Sequence, residues 1–254
     1  MVRDIIKDKD YFEEIIRRDY SRLNKRIKKI EEGQIKPERE NIVKDSMSGT
    51  YKNIIISRYS LGDNMSSAEV LSDYMNAVEL MDETWTPKAW NMLSSDSKPL
   101  EQYTFSSFLD FSRMLSLGVL LPIPQQYLLK LVKFIDGDEV KDFLFEFLIR
   151  YAIPQRKVIQ EESYSEFFHV NERYGVLKEI INETDKLVAQ RKLKDFLETK
   201  WYQSFKGTPL YNLHDNPHNI YVGYWCFQAA AITKIMELDD SSYRNNQYYP
   251  KDLL

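Results

Sequence analysis

His214, Asp215 and His218 are the residues whose types and spacing come nearest to a metal site. Two imidazoles four residues apart, with a carboxylate between them, suit zinc only if a helix brings both rings to one face. Pro217 removes a backbone donor from that stretch and makes a regular helix through it doubtful. The chain has only 3 histidines, the other being His169, so a four-ligand site lacks donors of the usual kind. Asp239 and Asp240 add paired carboxylates capable of acid–base work. Together they define the alternative reading, a helical metal-dependent hydrolase using His214, His218, Asp239 and Asp240. Adjacent acids at a helix end more commonly cap and turn the chain, and Asp240 before Ser241 and Ser242 reads as an N-cap. The Asp136-Gly137-Asp138 run lacks the spacing of a calcium loop and reads as a turn. Cys226 is the single cysteine, set in an apolar run, and reads as a small buried hydrophobe. No nucleophile elbow, phosphate loop, dinucleotide fingerprint or His-Glu-x-x-His motif occurs. The expectation is a protein that is not an enzyme and carries no metal or cofactor.

A different pattern stands out between Ser66 and Glu83. At about 100° per residue, Val70, Leu71, Tyr74, Ala77, Val78 and Met81 gather on one helical face, and Glu69, Asp73, Glu79 and Glu83 gather opposite. Asp82 adds a fifth acid. The pairs 69/73 and 79/83 are like charges one turn apart, each costing about 0.2–0.5 kcal/mol in an isolated helix. No Lys or Arg lies between Gly62 and Pro87 to offset them. Either the face is ordinary solvated surface with partners from the basic first helix, or it is a contact surface for a basic partner.

The charge distribution sharpens that choice. Net charge is −4, but residues 1–60 hold 15 Lys/Arg against 11 Asp/Glu, while residues 61–121 hold 3 against 9. An acidic balance disfavours direct nucleic-acid binding, which needs a concentrated basic face. The basic run Arg17, Arg18, Arg22, Lys25, Arg26, Lys28 and Lys29 is interleaved with an apolar stripe and reads first as a solvated helix face. A hydrophobic fraction of 43%, with 17 Tyr, 13 Phe and 4 Trp, belongs to a folded chain. The first residues carry charges throughout, and no apolar run reaches the ~20 residues of a membrane span, so no membrane association and a cytoplasmic location are expected.

The elements that must position these residues are helices. Phe12, Ile16, Tyr20, Leu23, Ile27 and Ile30 mark a first helix over 10–32, with Asp10 and Glu13 as a capping box and Gly33 as its stop. A second is expected over 38–60 and a third over 66–83, capped by Ser66. Pro87 interrupts before a short helix at 88–93. Helices follow at 101–118, 125–135, 139–152, 162–182 and 184–199, and an apolar one closes the series at 221–236. The doubly proline-broken Val119–Pro124 suggests a boundary between halves 1–121 and 122–254. The fold class is all-α, a compact multi-helix bundle of two packed helical halves.

The end of the chain carries a dense signature. Gly223-Tyr224-Trp225, Ala229-Ala230-Ala231, Lys234-Ile235, Asp239-Asp240-Ser241-Ser242, Tyr248-Tyr249-Pro250 and Asp252-Leu253 closely resemble the C-terminal segment of the PoNi-type immunity proteins. The opening Arg-Asp pair, the Tyr59-Ser60 stretch before Gly62, and Trp201-Tyr202 ahead of a polar turn and His214 resemble the same family. Where the family usually carries Glu, this chain has Gln228. The resemblance implies a bacterial, all-helical protein that binds a PoNe-type DNase toxin, itself similar to the PD-(D/E)xK nucleases. Stoichiometric occlusion by an acidic surface is then the expected mechanism, with Glu69, Asp73, Glu79, Asp82 and Glu83, and secondarily Asp239 and Asp240, as toxin-facing carboxylates. Trp201, Tyr202, Gly223, Tyr224, Trp225, Tyr248, Tyr249, Pro250 and Asp252 are expected to anchor the closing segment to the helical body.

Overall fold

Asp8, two residues before the expected cap, starts the first helix: its carboxylate accepts the Tyr11 N–H at 3.0 Å. The computed structural model describes residues 1–159 and 168–254, with the side chains of 168–172 also outside the description. His169 and the expected start of the 162–182 helix fall there. Among the described residues there are nine α-helices, and a two-stranded hairpin is the one departure from an all-helical fold.

The chain forms two compact units, and neither is a contiguous segment. The first comprises Met1–Trp85 with Asn212–Tyr224, and the second Thr86–Tyr211 with Trp225–Leu254. The expected halves, 1–121 and 122–254, divide the chain by its order along the sequence; the units are a different division.

In the first unit, α1 (Lys9–Glu31), α2 (Pro37–Leu61) and α3 (Ala68–Thr84) pack in sequence order, α2 against both neighbours. Phe12, Ile15 and Leu23 of α1, Ile54, Ile55 and Tyr59 of α2, and Val70, Tyr74, Ala77 and Val78 of α3 are buried to within 1% exposure. Those side chains recur at helical spacing, so burying one face of each helix is the main stabilising contribution. Gly62 closes α2 in the left-handed region at φ +104°, and a Cβ there would lie 2.1 Å from the Met1 carbonyl oxygen. Glycine is therefore required by both torsion and space. Ser67, not Ser66, caps α3 by accepting the Val70 N–H.

In the second unit the expected helix at 88–93 is replaced by β1 (Asn91–Leu93), which pairs antiparallel with β2 (Pro99–Tyr103). Lys88 is left-handed (φ +63°), a torsion a helix does not use. The fully buried Asp138 holds the turn, accepting the Lys88 N–H at 2.6 Å and the Tyr103 hydroxyl at 2.7 Å. Asp138 thus does more than the turn chemistry its sequence suggests. Helices α4 (Phe105–Leu120), α5 (Gln125–Gly137), α6 (Phe143–Ala152), α7 (Phe168–Ile181) and α8 (Lys186–Asp195) follow. Asp142 and Asp185 cap α6 and α8. A wide π turn, Phe196–Lys200, continues α8 into Trp201. The last helix, α9, runs Phe227–Met236 and lies against α4. The expected start at 221 is corrected: residues 221–226 are not helical, with Gly223 at φ +128°, a torsion a helix does not use.

Candidate functional site

Helix α3 presents its carboxylates over about 14 residues, or ~21 Å at 1.5 Å per residue. Glu69 and Glu83 are exposed, and Glu79 and Asp82 are partly exposed. Glu69 sits in the first turn, where its own backbone N–H and then the Ser67 hydroxyl hold its carboxyl below the usual carboxylate range. Glu83 pairs with Lys44 of α2 at 2.9 Å, and the same ammonium holds Glu40 at 2.8 Å. All three side chains have substantial solvent access, so these pairs position the groups more than they stabilise the fold.

Asp73 is corrected. It is 4% exposed, facing the interior of the unit rather than solvent. Its azimuth lies about 40° from that of Ala77, one turn on, so it sits on the margin of the apolar face and within reach of α1 and α2. The Tyr20 hydroxyl donates to Asp73 at 2.5 Å, and the Arg58 guanidinium lies 3.5 Å away. Arg58 also donates to the Tyr20 oxygen at 3.0 Å and to Asp63 at 2.9 Å. Burial is the largest influence on Asp73 and pushes its carboxyl up to about 6, against the lowering pull of Tyr20 and Arg58. Burial likewise raises Tyr20 to about 12. This network ties three helices together behind the acidic face. Tyr20 was legible only as part of the apolar stripe of α1, and no signal in the sequence pointed to its hydroxyl or to Arg58.

Asp239 and Asp240 are turn residues. Asp239 accepts from both the backbone N–H and the hydroxyl of Ser241, at 3.0 Å each, and the former is the main cause of its lowered carboxyl. Asp240 pairs with Arg244 at 2.6 Å, and its carbonyl accepts the Tyr243 and Arg244 N–H groups. His214 lies in a single 3-10 turn, Leu213–Asp215, with its Nδ1 3.0 Å from the Tyr224 hydroxyl. His218 is exposed in the following turn, its backbone N–H bonded to Asn216. No helix carries both rings, and among the described residues no three His, Cys, Asp or Glu side chains group as a metal site.

Trp201, Tyr224, Trp225, Tyr243 and Tyr249 are packed inside, and Tyr202 and Tyr248 are half-buried. Trp201 is fully buried and meets Phe205 edge to face at 5.1 Å. Tyr202 stacks on Tyr248 at 5.8 Å with planes 8° apart, and the Cys226 N–H donates to the Tyr248 carbonyl at 2.8 Å. Tyr243 meets Tyr249 at 5.0 Å and shares a 2.9 Å hydrogen bond with Thr233 of α9. Tyr224, Trp225, Tyr249 and Pro250 are buried, whereas Asp252 is exposed in the closing 3-10 turn. Cys226 is buried and its thiol is pushed up by desolvation, which keeps it protonated and unreactive. Gln228 is also buried: its amide nitrogen donates to Ser112 of α4 at 2.7 Å, while its Oε1 has no hydrogen-bond partner among the described residues.

Two family profiles cover nearly the whole chain. Residues 3–133 match the family described as "PoNe immunity protein (PoNi), N-terminal", and residues 140–253 match "PoNe immunity proteins (PoNi), C-terminal". No curated protein matches the chain. The fold is similar to the crystal structure of protein PA2201 from Pseudomonas aeruginosa, with a TM-score of 0.70 at 16% identity over 99% of this chain and 89% of that one. At that identity the likeness speaks for the fold alone.

Proposed function

The chain belongs to the PoNe immunity protein family, and on that premise we propose that it neutralises its cognate toxin by stoichiometric occlusion of a DNA-binding surface, without turnover. The observation that carries this reading is the exposed acidic face of α3. Glu69, Glu79, Asp82 and Glu83 line one helix with solvent access, in a segment with no Lys or Arg from Asp63 to Thr86. A nuclease must present cations to phosphate, and a row of carboxylates competes for the same cations. Such complementarity speeds encounter, while buried anchors on the partner's side slow release.

Asp73 enters this scheme as a positioning residue. Its bonds to Tyr20 and Arg58 fix the register of α3 against α1 and α2, and so hold the exposed acids in place. Asp239 and Asp240, occupied with Ser241 and Arg244, contribute at most to the edge of a contact. Co-expression with the cognate toxin tests the reading. Growth is restored by the wild-type chain, and purified toxin cleaves DNA until an equimolar amount of the chain is added. Residual cleavage at a molar excess would contradict stoichiometric occlusion.

A further inference from the structure

The opposite charge is concentrated on α1 of the same unit. Between Arg17 and Ile30 it carries seven basic residues and a single acid, Asp19. Several of those cations are already engaged. Arg18 donates to the His218 and Asn219 carbonyls, Arg17 pairs with Glu14, and Arg26 reaches Thr50. Lys25 and Lys29 are exposed and have no ion-pair partner among the described residues. Exposed Arg22 and Lys28 flank them, with only long pairs to Asp19 at 3.3 Å and Glu32 at 3.6 Å.

Two adjoining shallow grooves of about 550 and 480 Å³ share Lys25 and Lys28 in their walls. The first is completed by the Tyr20 ring, whose hydroxyl is turned to Asp73, and by Ser21 and Asn24, which add a hydroxyl and an amide to the cations. Arg22, Lys25 and Lys29 follow one another at steps of three and four, so they form one stripe of ~11 Å along the helix.

We infer that the α1 grooves take a short carboxylate-rich segment of the same toxin partner, so that the recognition surface of this unit is bipolar rather than uniformly acidic. This rests on the toxin-binding reading above. The family is one of immunity to a toxin, so a protein segment is the occupant that reading supplies, and a basic stripe complements carboxylates on it. Hydroxyl and amide groups beside lysines suit individual carboxylates, and like-charge juxtaposition excludes a partner whose charges run in the wrong order.

The test compares two variants binding the purified, catalytically inactivated cognate toxin by titration calorimetry at low and physiological salt. Lys25→Glu with Lys29→Glu is expected to weaken binding by at least ~10-fold and to flatten its salt dependence. Both side chains are exposed, so the melting curve should match wild type. Glu69→Lys with Glu83→Lys, measured in parallel, separates the two ideas. If the α3 variant loses affinity and the α1 variant does not, the bipolar surface is overturned and the toxin-binding reading stands. If toxin fails to bind even the wild-type chain, both fall. The same samples are titrated with a 20-base-pair DNA duplex: binding by wild type that the α1 variant loses would assign the grooves to nucleic acid and overturn the proposal.

Discussion

Helix α3 and the closing segment are both rich in chemically distinctive side chains, yet they spend them in opposite ways. On α3, Glu69 and Glu83 are exposed, the latter beside Lys44, and only Asp73 is buried. In the closing segment Trp225, Tyr243 and Tyr249 are drawn inside, and Asp239 and Asp240 are engaged with Ser241 and Arg244. The segment on which the sequence resemblance rests is therefore used mainly for packing. The segment with no diagnostic motif carries the exposed charge that a partner can read. Specificity between cognate pairs is a difference of affinities and calls for positions free to vary, a freedom that a fully buried Trp201 lacks and an exposed Glu69 has.

The sharpest way to break this comparison is at Trp201. Trp201→Ala empties a fully buried site against Phe196 and Phe205 and is expected to cost about 3–5 kcal/mol. Chemical denaturation should show a much lower midpoint, while the fraction that remains folded keeps its affinity for toxin. A loss of affinity in fully folded protein would move Trp201 from packing to recognition.

Asp73 tests the boundary between the two uses. Its folded value of about 6 lies above the 3.8 of an unperturbed carboxyl. Between those values the folded state keeps a proton that the unfolded state has lost. This group's contribution to stability is thus present in full below pH ~4 and is lost as pH rises through 6. Asp73→Asn removes that titration, so the stability difference between pH 4 and pH 7 should change relative to wild type by about 1–3 kcal/mol. Identical pH profiles for the two proteins would place Asp73 in solvent, as the helical wheel alone suggests.

Gln228 should give the smallest effect. Gln228→Leu gives up the bond to Ser112 but also removes a buried Oε1 that lacks a partner. The two changes oppose each other, and the net effect on the melting curve should correspond to less than ~1.5 kcal/mol. A larger loss would show that the amide is a keystone of the α4–α9 packing.

Much of the helical framework was legible because long periodic stretches determine their own buried face. α1, α2 and α3 start and stop within a few residues of their expected limits for that reason. Periodicity gives an azimuth, however, and not the width of the neighbours that cover it, which is why Asp73 on the margin was placed outside. The hairpin was illegible because a three-residue strand has no period, and what stabilises it is distant in sequence: Asp138, 50 residues from Lys88. The apolar run from Tyr221 reads as helix throughout because hydrophobicity alone does not distinguish a buried non-helical segment from a buried helix. The carboxylates of the candidate surface were found from charge pattern alone. The Tyr20–Arg58 support behind them was not, because it depends on how three helices meet.

The toxin contact is proposed to lie on the exposed acids of α3. Glu69→Lys, Glu79→Lys and Glu83→Lys combined, titrated into the cognate toxin at physiological salt, test it most directly. The account predicts a fold as stable as wild type to within ~1 kcal/mol, a slower association rate, and a Kd raised by at least ~10-fold. An unchanged Kd in a folded triple variant would contradict it.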